Sequence, residues 1–121
     1  MKLLISDDSR IARKMMKKSI QDIIGEDIEL LEANNGQEAI DIYKEEKPDI
    51  CFMDLTMPVI DGFEATRKIK NYDESAKIII VSADIQEGSI EKARTNGALG
   101  FIKKPINAAN LSVMLEKLGL K

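Results

Sequence analysis

Ile50-Cys51-Phe52-Met53-Asp54, followed by Leu55-Thr56-Met57-Pro58, is the stretch on which the reading of this chain turns. Four successive apolar residues leave no polar face, so the segment reads as a strand covered on both sides, as in the centre of a parallel sheet flanked by helices. Its first polar residue, Asp54, closes the strand and stands at its carboxyl end.

Outward from that strand, short apolar runs alternate with longer amphipathic ones. Strands are predicted at 3–6, 28–33, 50–54, 78–82 and 100–103, with helices at about 9–24, 37–46, 63–70 and 86–96. A last helix is predicted to bury Leu111, Met114, Leu115 and Leu118. Gly25, Asn34-Asn35-Gly36, Pro48 and Gly97 supply stops and turns between them. In the first helix the apolar stripe is read as Ile11, Met15, Ile20, Ile23 and Ile24, and in the second Ala39, Ile40 and Tyr43 point inward. Asp84 and Glu87 resemble a signal for the start of the fourth helix. Five such units imply right-handed crossovers and an open, doubly wound α/β fold, since a closed barrel needs eight. The expected five-stranded parallel sheet has the order 2-1-3-4-5, in a single domain over residues 1–121. A ligand site then belongs outside the carboxyl ends of the strands, at the switch point between strands one and three.

Composition narrows the chemistry. Among 121 residues there is one Cys and no His, so the usual His/Cys zinc sites and hydrolases with a His base are excluded, and no internal disulfide can form. A formal charge of -3 argues against nucleic-acid binding. No apolar run approaches the span of about 20 residues that crosses a bilayer, and no secretory signal is apparent, so a cytoplasmic setting without membrane attachment is expected.

At the predicted strand ends stand Asp7 and Asp8, Asp54, Ser82, and Lys104 just past the fifth strand. Carboxylates brought to about 4 Å repel by about 4 kcal/mol at an effective dielectric of 20. A hard divalent cation relieves that repulsion, and oxygen-only ligation points to Mg²⁺, which keeps waters and leaves positions for phosphate oxygens. A carboxylate beside such a metal at the tip of a rigid strand is placed to attack phosphorus, forming an acyl phosphate. Asp54 is the candidate acceptor, with Lys104 as a point charge for a phosphate oxygen and the Ser82 hydroxyl as a hydrogen-bond donor.

With Asp7-Asp8, Asp54, the Met57-Pro58-Val59-Ile60-Asp61-Gly62 loop, Val81-Ser82-Ala83 and Lys103-Lys104-Pro105 in this order, the whole chain resembles a response-regulator receiver domain, whose fold is flavodoxin-like. The resemblance implies that Asp54 accepts a phosphoryl group from the phosphohistidine of a histidine kinase. It implies that Mg²⁺ is held by Asp8, Asp54 and the Thr56 backbone carbonyl, with Asp7 acting through water, and that Lys104 pairs with the phosphate. Ser82 and Phe101 would form a coupled switch that reshapes the surface of helix four, strand five and helix five, where targets bind. Thr56 and Asp84 occupy positions that tune dephosphorylation, and Lys104-Pro105 is expected to be cis. Two departures are small: Ile60 stands where Met is frequent, and Phe101 lacks the hydroxyl of a Tyr. The implied activity is self-catalysed phosphorylation and dephosphorylation only, by a monomer. With nothing after Lys121 to serve as an output domain, control is expected to pass through a partner protein, most naturally in chemotaxis and flagellar motor control. An intermediate carrier to a histidine phosphotransferase is the alternative.

Blander readings compete at single positions. An isolated Asp-Asp pair is usually a turn or a cap, Ser82 alone can cap a helix, Phe101 alone is packing, and Cys51 is inert core. The conjunction at one sheet edge is what points to a site. Arg10, Arg13, Lys14, Lys17 and Lys18 read as the basic outer face of the first helix, either merely solvated or a docking surface for an acidic partner. A small Mg²⁺-dependent aspartyl phosphatase also attacks with a strand-end Asp, but it normally carries a second Asp two residues on, where Thr56 stands. A flavodoxin-like flavin carrier is disfavoured because Asp7-Asp8 would repel its phosphate.

Overall fold

The computed structural model describes residues 1–83 and 86–120. Its elements run β1 (Lys2–Ser6), α1 (Arg10–Ile24), β2 (Glu29–Ala33), α2 (Gly36–Glu46) and β3 (Ile50–Met53), then α3 (Gly62–Tyr72), β4 (Ile78–Ser82), α4 (Glu87–Thr95), β5 (Gly100–Lys103) and α5 (Ala108–Lys117). The strands form one sheet in the order β2-β1-β3-β4-β5, and every pairing is parallel. Both the order and the doubly wound arrangement match the sequence reading.

Alternation along the strands divides the core in two. Leu4, Cys51, Met53, Ile78 and Ile80 face one side, where α2, α3 and α4 contribute Ala39, Ile40, Tyr43, Ala65, Ile69 and Ala93. Leu3, Ile5, Ile50, Phe52, Ile79, Val81 and Ile102 face the other, against Met16 and Ile20 of α1 and Leu111 and Leu115 of α5. β3 and β4 are buried at every position because helices cover both of their faces. Cys51 lies wholly inside, and burial pushes its thiol far above the usual range, which leaves it unreactive.

One predicted stripe is out of phase. Ile11 and Met15 are 73% and 65% exposed, whereas Met16 and Ile20 are buried and Ile23 and Ile24 are half-buried. The face pressed on the sheet follows the four-residue spacing Ala12, Met16, Ile20, Ile24, and Ile11 and Met15 each lie one helical step, about 100°, off it. Boundaries moved less: β2 begins at Glu29, β3 ends one residue before Asp54, and α2 and α3 begin on Gly36 and Gly62. Ser9, Asn35, Asp61 and Asn107 each cap a helix with a side-chain oxygen. α4 starts behind Gln86, which makes no such bond, and the expected role of Asp84 there lies outside the described residues.

The loop from β3 to α3 carries the one β-branched residue at positive φ among the described residues, Val59 at φ 68, with its side chain 78% exposed. A left-handed conformation costs a residue with a Cβ about 1–2 kcal/mol. Val59→Gly removes that strain with few contacts to lose, though glycine's extra freedom in the unfolded chain offsets part of the gain. The expected result is a stability gain of up to about 1 kcal/mol, read as a melting temperature a few degrees higher. A lower one would show that the exposed Val side chain contributes packing.

Candidate functional site

The backbone ladder continues past the strands and thereby holds the polar residues at their ends. Asp7 N–H donates to the Ala33 carbonyl (3.1 Å), Asp54 N–H to the Ser6 carbonyl (2.9 Å), and Lys104 N–H to the Ser82 carbonyl (2.9 Å). Asp7 and Asp54 are therefore fixed by the sheet itself at the switch between β1 and β3, and Lys104 at the end of the neighbouring β4–β5 pair. Lys104 reaches across it: Nζ donates to Asp7 Oδ2 at 2.7 Å and lies 3.5 Å from Asp54 Oδ2. The other Asp7 oxygen accepts the Ser9 N–H at 2.9 Å.

Carboxylate oxygens of Asp7, Asp8 and Asp54 lie within 4.8 Å of one another. Asp7 and Asp54 are buried at 5% and 8% exposure, while Asp8 is open to solvent. Burial raises the Asp54 pKa above the usual carboxylate value; the Lys104 charge opposes that shift and the Asp7 charge adds to it. Burial works against the Lys104 charge too, but its bonds to Asp7 and Asp54 outweigh that and raise its pKa, so it stays an ammonium. Three carboxylates thus share one close ammonium, and the raised Asp54 pKa reflects chiefly the burial of its charge, with the Asp7 repulsion a smaller contribution. A hard divalent cation fits this donor set: oxygen atoms only, two of the three residues buried, and one reached from solvent.

Of the remaining predicted residues, Ser82 is buried at the end of β4 (3% exposed), Thr56 is exposed two residues past Asp54, and Phe101 is half-buried in β5 against the α2–α4 side of the core. Asp84 lies outside the described residues. The Lys104-Pro105 peptide is cis, as expected.

Arg13 corrects the picture of a uniformly basic outer face on α1. Its side chain is 13% exposed, pairs with Glu32 at 3.0 Å, and donates to the Asp7 carbonyl (2.7 Å) and to Asn34 Oδ1 (3.2 Å). Lys17 also pairs with Glu32, at 3.2 Å. Arg13 thus ties α1 and the end of β2 to the acidic turn. Glu32, a charge within the second predicted strand, was the available hint, but only the fold brings it beside α1.

A doubly wound α/β domain with an acidic cluster at its topological switch point is the class that fold and geometry define. The profile of the response regulator receiver domain matches residues 3–116, and the chain belongs to that family. It is 45% identical over 118 residues to the chemotaxis protein CheY of Listeria monocytogenes, covering 97% of each chain. With CheY of Thermotoga maritima it shares 39% identity over 120 residues, covering 96% of this chain and 95% of that one. The solved CheX–CheY–BeF3–Mg²⁺ complex from Borrelia burgdorferi superposes with a TM-score of 0.91 at 30% identity, covering all of this chain and 90% of that one.

Proposed function

We propose that the chain acts as a stand-alone response regulator that accepts a phosphoryl group on Asp54 from a histidine kinase and passes the signal to a partner protein, in chemotaxis. The observation that carries the reading is Asp54 itself: a nearly buried carboxylate at the end of the central strand, with the Lys104 ammonium 3.5 Å away and two further carboxylates close by. The full-length similarity to several chemotaxis proteins supports the pathway and the single-domain organisation.

In this reading Asp8, Asp54 and the Thr56 carbonyl hold Mg²⁺, with Asp7 acting through water. The ion supplies charge neutralisation at the phosphoryl oxygens. An Asp54 oxygen attacks phosphorus in line and forms an acyl phosphate as the phosphorus–nitrogen bond of the donor's phosphohistidine breaks and its electron pair leaves on the imidazole nitrogen; no proton need leave the ionised carboxylate. Lys104 pairs with a phosphoryl oxygen, which requires it to relax its hold on Asp7. Ser82 donates its hydroxyl to the new group, and Phe101 follows, altering the surface built by α4, β5 and α5. Leu99 and Val113, 58% and 52% exposed on that surface, suit contact with a protein target. Thr56 and Asp84 set how fast water reverses the reaction. Among the described residues no helix is long and apolar enough to cross a membrane, which accords with a cytoplasmic carrier.

The test uses the whole chain with Mg²⁺ and phosphoramidate, followed by intact mass. Gain of one phosphoryl group, located on Asp54 by peptide mapping and abolished by excess chelator, is the expected outcome. No adduct, an adduct elsewhere, or uptake indifferent to the chelator would overturn the reading.

A further inference from the structure

The acidic site opens sideways into a cavity of about 370 Å³ between α1 and the segment after β5, and Asp54 and Lys104 line both. Asp7 lines it as well; away from these three charged residues its wall is mostly apolar, formed by Ile5, Met15, Met16, Phe52, Val81 and Ile106 with Ser19 among them. A cavity of this size, mostly apolar in its wall, suits the apolar part of a small amphiphile whose anionic head is held by Lys104 and the Mg²⁺ of the proposed site. Phosphoryl transfer needs neither the depth nor the apolar wall.

We propose that the cavity seats the hydrocarbon tail of a small acyl phosphate, so that donors with a short alkyl chain phosphorylate Asp54 better than acetyl phosphate does. This rests on Asp54 being the phosphoryl acceptor. The step balances without further reagents: an Asp54 oxygen forms a bond to phosphorus, the bond from phosphorus to the acyl oxygen breaks, and its electron pair leaves on the carboxylate of the released acid. A carboxylate departs without being protonated, which matters in a chain that has no His to act as a general acid. One acyl phosphate is consumed and another is made, so the exchange is close to balanced in free energy. Two methionines in the wall, Met15 and Met16, adapt their shape to a chain of variable length.

Initial rates of phosphorylation are measured by intact mass on the whole chain with Mg²⁺, using acetyl phosphate, butyryl phosphate and phosphoramidate, which has no acyl tail. Two added methylenes buried in the cavity should raise the rate constant with butyryl phosphate roughly 10-fold over acetyl phosphate. Ala12 lines the cavity from α1 and has no role in holding or transferring the phosphoryl group, so Ala12→Leu fills the space; it should bring the ratio close to one and leave the phosphoramidate rate unchanged. Ser19→Leu, two turns further along the same face of α1, provides the same block should Ala12→Leu fold poorly. Butyryl phosphate no faster than acetyl phosphate in the parent protein overturns the proposal while labelling by phosphoramidate leaves the acceptor reading standing. A ratio that survives both substitutions also overturns it. If phosphoramidate labels nothing at Asp54, both readings fall together.

Discussion

Asp54→Asn is expected to yield a protein that takes up no phosphoryl group and melts above its parent at neutral pH. The first half follows from the chemistry, since an amide oxygen is no nucleophile toward phosphorus, and Asp7, the other buried carboxylate at the sheet edge, has its oxygens engaged by Lys104 at 2.7 Å and by the Ser9 N–H at 2.9 Å. The second follows from the raised pKa of Asp54. A carboxyl that binds its proton more tightly in the folded state than in the unfolded one subtracts stability once it ionises. That deficit is absent below the unfolded pKa, grows as pH rises through the folded pKa, and is complete above it. Asn does not titrate. The difference in melting temperature between variant and parent should therefore be small in acid, widen across that window, and hold at neutral pH. A gain on the order of 1 kcal/mol is expected there, equivalent to a few degrees. Lys104 keeps its 2.7 Å bond to Asp7 in the variant, so the ammonium is not stranded. Saturating Mg²⁺ should narrow the gap by stabilising the parent more than the variant, which lacks one of the carboxylates of the site. A variant that melts below its parent at neutral pH would mean that the Lys104 attraction outweighs burial and the Asp7 repulsion.

How much of this was legible beforehand depends on the range of the interaction involved. The unbroken apolar runs of β3 and β4 and the repeated strand-helix alternation dictated the doubly wound sheet, because a strand without a polar face has few places to go. Asp7, Asp8, Asp54, Ser82 and Lys104 could be assigned to one edge because parallel strands all end on the same side. The phase of α1 is not encoded as plainly, since apolar residues at Ile11 and Met15 imitate part of a stripe whose true members, Ala12 and Met16, are smaller or adjacent. Arg13 was indistinguishable from its basic neighbours. Its partners Asp7, Glu32 and Asn34 lie in other segments, and no local pattern encodes them. The cavity beside Asp54 was equally hidden, because it is bounded by α1, three strands and the residues after β5 together.

The tightest backbone approach at the site is tested by Gly62→Ala, for which a loss of about 3–5 kcal/mol is expected. A Cβ placed on Gly62 would stand 2.0 Å from the Asp54 carbonyl oxygen and 2.7 Å from the Leu55 Cα, both backbone atoms with no rotamer through which to yield. Gly62 also donates its N–H to the Leu55 carbonyl at 2.9 Å, so the first turn of α3 is anchored to the residue that follows the acceptor. The loop has no room to shift toward α2, because the Ile60 carbonyl already lies 2.0 Å from where a Cβ on Gly36 would be. Relief must come from the end of β3, which carries Asp54, or from the start of α3. For a domain with total stability of about 5–15 kcal/mol the loss is a large fraction, and the melting temperature should drop by about 10–20 °C. Gly88→Ala serves as the control. It lies in α4 with nothing within 4 Å of its would-be Cβ, so there the same substitution should add about 0.5–1 kcal/mol through helix propensity. Opposite signs for the two changes would separate close approach from the general effect of replacing glycine. If Gly62→Ala instead melts near its parent, the strain has been absorbed by moving Asp54, and the rate of phosphoryl uptake should fall although the fold survives.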